Sequence, residues 1–119
     1  ETPEQAAVRE AEEEIGLKSD HLRVVGRLTP LAIPVSQFLV YPVLGYLDQE
    51  QPWQPNPSEV AEVFAVKLSE LQRPEIAKKE IWKRPKGPRL IPFFDFQGKQ
   101  VWGATAMMLA ELKALLASC

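Results

Sequence analysis

The first seventeen residues, ETPEQAAVREAEEEIGL, carry the local signal that most constrains how this chain can fold. Thr2 is of a residue type that caps helix N-termini, Pro3 suits the first helical position, and Gln5 stands where a capping-box partner would reach back. Gly16 provides a stop, because glycine readily adopts the left-handed conformation that ends many helices. The sequence therefore predicts one short helix with both of its ends specified.

Three glutamates of this helix share one face. At about 100° per residue, Glu10, Glu13 and Glu14 lie close together and repel one another, by roughly a few tenths of a kcal/mol per pair at helical spacing. A hard divalent cation would reverse the sign, because it prefers carboxylate oxygens. A solvated acidic face is the alternative interpretation of such a run taken alone. The neighbouring face carries the residues that we expect to pack inward: Ala7, Val8, Ala11 and Ile15.

The order of these residues resembles the later part of the Nudix box. Glu1 is followed by seven residues, Arg9-Glu10-Ala11, one residue, Glu13-Glu14, one residue, and Gly16-Leu17. The resemblance implies a divalent-metal-dependent hydrolase of nucleoside diphosphate derivatives, with Mg²⁺ or Mn²⁺ as cofactor. It also implies that Glu10, Glu13 and Glu14 are the metal ligands, that Glu10 and Glu13 serve catalysis, and that Arg9 orients Glu13. Glu1 matches the first glutamate of the box, a supporting residue that we expect to be disordered at a free terminus.

The family's box begins with a glycine six residues before the position of Glu1, and strands normally precede the box. We therefore expect this sequence to be an N-terminally incomplete Nudix domain spanning residues 1–119. The fold implied is α+β, an α/β/α sandwich with a mixed sheet that lacks its leading strands. An exposed sheet edge of that kind invites homodimerisation.

Composition sets broad limits on the class of protein. The chain is 45% hydrophobic and 25% charged, as in an ordinary globular domain. A net charge of −2 gives no support for a nucleic-acid or membrane partner, so a small nucleotide is the expected one. One cysteine, Cys119, excludes a disulfide within the sequence and fits a reducing cytoplasm.

The rest of the chain alternates strand and turn signals. Periodicity predicts strands at 22–28, 35–47 and 62–68, a short helical turn at 69–72, and a weak helix at 74–83. A hairpin is expected to join 89–96 and 99–102 around Gln97-Gly98. A closing helix is predicted over 104–117, with a core-facing stripe of Met108, Leu112, Leu115 and Leu116.

The second half of the chain bears on the substrate. Two stretches resemble the coenzyme A pyrophosphatase branch of the Nudix family: Asn56-Pro57-Ser58-Glu59-Val60 followed by Glu62-Val63-Phe64 and Lys67-Leu68, and Val101-Trp102-Gly103-Ala104-Thr105-Ala106. Many Nudix enzymes add an acidic residue from a distant loop, and Glu59 is the candidate here for a catalytic role, with Glu62 next. A solvated glutamate at a strand edge is the alternative for either residue.

A basic segment follows. Six of the fourteen basic residues lie within the twelve positions from Lys78 to Arg89. Such a segment can attract the phosphates of an anionic nucleotide, or it can be a solvated basic loop. Trp82 and Trp102 are candidates for stacking on an adenine, with packing as the alternative for Trp102. The candidate substrate-binding residues are Lys83, Arg84, Lys86 and Arg89.

These patterns favour hydrolysis of a pyrophosphate linkage in coenzyme A or a derivative. A Nudix hydrolase of ADP-ribose, dinucleotides or nucleoside triphosphates is the alternative within the enzymes. A truncated, inactive binding or assembly module is the alternative outside them.

Overall fold

A computed structural model describes residues 1–33 and 36–119. The chain forms two compact units, Glu1–Ala65 and Val66–Cys119, which are treated separately below. Among the described residues, no helix is both long enough and apolar enough to cross a membrane.

The first unit opens with helix α1, Pro3–Ile15, which has the predicted ends. The Thr2 side chain accepts from the Gln5 N–H at 3.1 Å, and the Thr2 N–H donates to the Gln5 side chain at 2.8 Å. Gly16 ends the helix at φ 71° and ψ 28°, in the left-handed region. The helix thus begins and ends at the residues that the sequence assigned to its two caps.

The strands of the first unit form two small antiparallel sheets. Strand β1, Leu22–Arg27, pairs with β4, Val43–Leu47, and β2, Leu31–Ile33, pairs with β3, Phe38–Val40. The strand predicted at 22–28 is confirmed.

The single long strand predicted at 35–47 is wrong for its described part, because the chain leaves the extended ladder between β3 and β4. Pro42 sits at that break, buried and without an N–H to donate, while its carbonyl accepts from the Leu28 N–H at 3.0 Å. The part of this prediction that falls on position 35 lies outside the described residues. The two prolines within residues 29–34 also predict a bend or loop there; this prediction is wrong for Leu31–Ile33, which form β2, and position 34 lies outside the described residues.

After β4, the segment from 48 to 65 has no helix or strand. The strand predicted at 62–68 is wrong: residues 62–67 belong to no strand, and Leu68 begins a helix. Apolar alternation alone does not make a strand, because a strand also needs a neighbour to pair with, and no described strand has these residues in its register.

The second unit is a three-stranded antiparallel sheet with helices. Helix α2, Leu68–Leu71, precedes β5, Ala77–Trp82, β6, Arg89–Phe96, and β7, Lys99–Trp102, in the order β5-β6-β7, and helix α3, Gly103–Ala117, closes the chain. The predicted hairpin, the short helical turn and the closing helix are confirmed. The turn between β6 and β7 places Gln97 and Gly98 at positive φ, as a tight hairpin turn requires.

The weak helix predicted at 74–83 is wrong. Pro74–Ile76 forms one 3₁₀ turn, and the chain then enters β5, which pairs with β6 from Ala77↔Phe94 to Trp82↔Arg89. A partner strand seven residues further along the chain overrides the weak helical preference of the lysines and glutamate.

The core of the second unit consists of Leu71, Ile76, Phe94, Phe96 and Ala106. Of the predicted stripe on α3, Leu112 and Leu116 pack against this core, but Leu115 is exposed and Leu109 packs in addition. The core-facing stripe of α3 therefore contains Leu109, Leu112 and Leu116, and Leu115 lies outside it.

The α+β class is confirmed. The described strands, however, pair only in the antiparallel sense and form three separate sheets. The mixed sheet that was predicted is therefore not observed among the described residues. The connections explain this: β2–β3 and the two connections within the second unit are too short for the crossover that a parallel pair needs.

Candidate functional site

The glutamate face of α1 is accessible. The side chains of Glu10 and Glu13 are 56% and 62% exposed, and Glu14, one turn after Glu10, is half-buried. Because the helix is capped at both ends, these three side chains project from a fixed frame rather than from a fraying end.

Arg9 connects this face to the N-terminus of the chain. Its Nε and Nη2 donate to the two carboxylate oxygens of Glu1 at 2.8 and 3.0 Å, while Nη1 lies 3.4 Å from both oxygens of Glu13. The predicted contact between Arg9 and Glu13 is therefore present, but Glu1 receives the shorter, two-pronged bond. That bond lowers the pKa of Glu1 from its ordinary value.

The donor chemistry of the face suits a hard cation, because carboxylate oxygens are the ligands that Mg²⁺ and Mn²⁺ favour. Within residues 1–33 and 36–119, no three acidic, histidine or cysteine side chains are gathered tightly enough to hold an ion as they stand. Glu13 is turned toward Arg9, and Glu10 lies 3.7 Å from the same guanidinium. The ligand type fits, and these side chains would have to turn toward a common ion.

A loop from later in the chain docks against the C-terminal end of α1. The Asn56 N–H donates to the Glu14 carbonyl at 2.8 Å, and the Gln54 N–H donates to the Ile15 carbonyl at 2.9 Å. The last carbonyls of a helix have no partner within it, so this loop completes the helix. Gly16 makes the approach feasible, because a Cβ at this position would lie 2.9 Å from the Cβ of Gln54.

The same loop carries Glu59 in a tight turn. The Asn56 side-chain oxygen accepts from the Ser58 N–H at 3.1 Å and from the Ser58 hydroxyl at 2.8 Å. The Asn56 carbonyl accepts from the N–H groups of Glu59 and Val60 at 3.0 and 2.8 Å. Glu59 is exposed, and it lies three residues after Asn56, which is bonded to the main chain of Glu14.

Glu62 is also exposed, but it lies beyond this turn. The structure thus ties the backbone that carries Glu59 to the glutamate helix.

Sequence reasoning missed the contact between Glu4 and Arg27. Arg27 Nη2 donates to Glu4 Oε1 at 2.9 Å, and Nε donates to Oε2. The pair joins α1 to β1 and lowers the pKa of Glu4. Nothing in the sequence marks these two residues as partners, because they lie on different elements 23 positions apart.

Sequence reasoning also missed the bonds from Gln54 and Asn56 to the C-terminal end of α1, although the sequence around Asn56 carries a turn signal. Asparagine followed by proline and serine is typical of a side-chain-stabilised turn, and Asn56 begins such a turn. The sequence gives no such signal for a second contact nearby. There the Lys18 N–H donates to the Gln51 side-chain oxygen at 2.9 Å, and the Gln51 side-chain amide donates to the Lys18 carbonyl at 2.8 Å.

The basic segment belongs to the second unit. Lys83 and Lys86 are exposed in the β5–β6 connection, and Arg89 is exposed at the start of β6. The Arg84 guanidinium lies 4.8 Å from the centre of the Trp102 ring, a cation–π distance.

Trp82 packs between aromatic neighbours, with ring centres 5.6 Å from both Phe93 and Trp102. Both tryptophans therefore make packing contacts within the unit. Trp102 nevertheless remains 44% exposed.

The chain is similar to known proteins over most of its length. The NUDIX domain profile matches residues 1–89. A protein of Photorhabdus laumondii named "Uncharacterized Nudix hydrolase NudL" is 35% identical over 107 residues, covering 89% of this chain and 56% of that protein. Proteins with the same name from Salmonella paratyphi B and Salmonella newport are 33% identical over 108 residues, covering 90% of the chain and 55% of each protein. The chain thus spans about half the length of the curated relatives it matches.

Proposed function

The chain belongs to the Nudix family, and from this premise we propose that it takes part in hydrolysis of a pyrophosphate linkage in a nucleoside diphosphate derivative. The observation that carries the proposal is the accessible glutamate face of a doubly capped α1, with the Glu59 loop bonded to the C-terminal end of that helix. Acidic side chains from two segments of the chain are thereby attached to one frame.

Glu10, Glu13 and Glu14 would hold Mg²⁺ or Mn²⁺. When bound, the cation supplies positive charge against the phosphate oxygens and makes a water molecule easier to deprotonate. Arg9 restrains Glu13 through Nη1 and is itself restrained by Glu1, which limits the range of orientations from which this carboxylate turns toward the cation. Glu10 and Glu13 face solvent, as groups that contact substrate and cation must.

Glu59 is the proposed general base. It is exposed, it forms no ion pair among the described residues, and its backbone is held by the Asn56 turn. A carboxylate that is free of cationic partners can accept the proton of the attacking water. Glu62 is the second candidate for this role.

Coenzyme A or a derivative is the proposed substrate. The support is the resemblance of residues 56–68 and 101–106 to the coenzyme A pyrophosphatase branch, together with the basic segment that contains Lys83, Arg84, Lys86 and Arg89. Such a cluster attracts a polyanionic nucleotide through its summed field, which acts beyond direct contact.

The test is hydrolysis of coenzyme A, ADP-ribose and NADH by the chain, with Mg²⁺ or Mn²⁺, followed by chromatography of the products. Preferential release of adenosine 3′,5′-bisphosphate is the expected result. Glu14→Gln should abolish turnover with little change in stability, whereas Glu12→Gln, an exposed glutamate on the same helix, should leave it intact.

Other outcomes assign other functions. Faster cleavage of ADP-ribose or NADH would replace coenzyme A by another nucleotide. Tight metal binding with no turnover of any substrate would contradict the hydrolase and favour a binding module. Activity retained in Glu14→Gln would overturn the metal-ligand assignment.

A further inference from the structure

The C-terminal end of α1 and the Glu59 loop meet at a single residue. The Asn56 N–H is bonded to the carbonyl of Glu14, while the Asn56 carbonyl and side chain are bonded to the three residues Ser58, Glu59 and Val60. Asn56 therefore contacts the helix through its N–H and the turn through its carbonyl and its side-chain oxygen.

The neighbours of Asn56 reinforce this role. Pro55 and Pro57 flank it, and the ring of each proline fixes one backbone angle beside the turn. The main-chain bonds of Asn56 are available to any residue, but the two bonds to its side-chain oxygen are specific to a short side chain that carries an acceptor. The identity of residue 56 thus matters to the turn rather than to the helix cap.

We infer that Asn56 is a positioning residue: its side-chain oxygen fixes the turn that holds Glu59 in register with the C-terminal end of the glutamate helix. The inference rests on the proposed function insofar as Glu59 acts there. Asn56 itself contacts neither substrate nor cation; it acts through Glu59.

The kinetic test is a double-mutant cycle. Asn56→Ala removes both side-chain bonds and keeps the main-chain bond to Glu14, so the helix cap should survive. Because small misplacements of a reacting group are costly, kcat should fall roughly ten- to a hundredfold with KM nearly unchanged. Asn56→Asp keeps an acceptor oxygen in the same place and should restore most of kcat.

The decisive comparison is made in the Glu59→Gln background, where Asn56→Ala should cause no further loss. An equal loss in both backgrounds would overturn the inference, because Asn56 would then act independently of Glu59. Gln49→Ala, which truncates an exposed amide to which the described residues give no hydrogen-bond partner, is the matched control and should leave kcat unchanged.

A second readout does not need catalysis. Amide hydrogen exchange at Ser58 in the metal-free protein should accelerate in Asn56→Ala and not in Gln49→Ala, because the Ser58 N–H loses its acceptor. Unchanged exchange would overturn the inference even in an inactive protein.

Paramagnetic broadening by Mn²⁺ separates the inference from the function proposed above. Broadening should reach the signals of both α1 and Glu59 in the wild type, and it should weaken at Glu59 alone in Asn56→Ala. Broadening of α1 without Glu59 in the wild type would contradict the role of Asn56. Absence of broadening at α1 would contradict the metal site, and Ser58 exchange would still decide the role of Asn56 in the turn.

Discussion

Arg27 on β1 donates two hydrogen bonds to the carboxylate of Glu4 on α1, with Nη2 2.9 Å from Oε1 and Nε bonded to Oε2. The paired charges connect the glutamate helix to the β1–β4 sheet at the end opposite the docked loop. Because Glu4 is not part of the glutamate face, this contact can be altered without touching the proposed metal ligands.

The Glu4–Arg27 pair predicts a specific dependence of stability on pH. The bond from Arg27 lowers the pKa of Glu4 from its ordinary 4.5. A carboxyl group with a lowered pKa stabilises the folded state above its ordinary value, and this contribution is lost as pH falls through the lowered one. Glu4→Gln should therefore be less stable than the wild type at pH 7, and the difference should shrink as pH falls below about 4.5.

Urea unfolding between pH 7 and pH 3 measures this difference. Glu12→Gln is the control on the same helix, because the described residues give Glu12 no ion pair. If the difference in free energy of unfolding between the wild type and Glu4→Gln is the same at all pH values, the Glu4–Arg27 pair contributes nothing to the acid sensitivity of the fold.

Arg9→Lys should be a damaging change despite keeping the charge. One guanidinium reaches Glu1 with two nitrogens and Glu13 with the third, whereas an ammonium group cannot span both carboxylates in that geometry. If Glu13 is misoriented, kcat should fall by about tenfold or more. The α1 helix should persist, because its caps do not involve Arg9.

Steady-state kinetics and far-ultraviolet circular dichroism of Arg9→Lys separate these effects. Lys18→Arg, an exchange between the same two residue types at an exposed site after the helix, serves as the control. Wild-type kcat in Arg9→Lys would mean that Glu13 does not depend on the guanidinium.

Phe94→Ala should destabilise the second unit strongly. Phe94 is 7% exposed and stacks on Phe96 with ring centres 6.2 Å apart, so truncation leaves a cavity in the core and should cost about 3–5 kcal/mol. Ile81→Ala, on the neighbouring strand but 73% exposed, should change the free energy of unfolding by no more than about 0.5 kcal/mol. Equal effects of the two changes in chemical denaturation would contradict the assignment of the core.

Helix α1 shows where sequence reasoning succeeds. Its start, stop and glutamate face follow from interactions within a few residues, so local rules suffice for Thr2, Gln5 and Gly16. The hairpin at Gln97-Gly98 is predictable for the same reason.

Strand β5 shows where it fails. Ala77–Trp82 is extended because β6 pairs with it, and its own residues favour a helix only weakly, so the outcome depends on a partner that a local window does not contain. The bond from Asn56 to Glu14 and the Glu4–Arg27 pair are non-local in the same sense. Within α1 the Arg9–Glu13 contact was therefore predictable from helical spacing, whereas the contacts that α1 makes with later segments of the chain were not.

The main-chain bonds from Gln54 and Asn56 to the end of α1 also bear on the order in which the molecule can assemble. Closing them requires the chain to form a loop of roughly forty residues, and the entropy of that closure must be met before the bonds form. The helix itself can form locally within microseconds, whereas its final carbonyls are bonded to water until residues 54 and 56 reach them. We therefore expect the surface proposed to carry the chemistry to be completed late in folding, after α1 has formed.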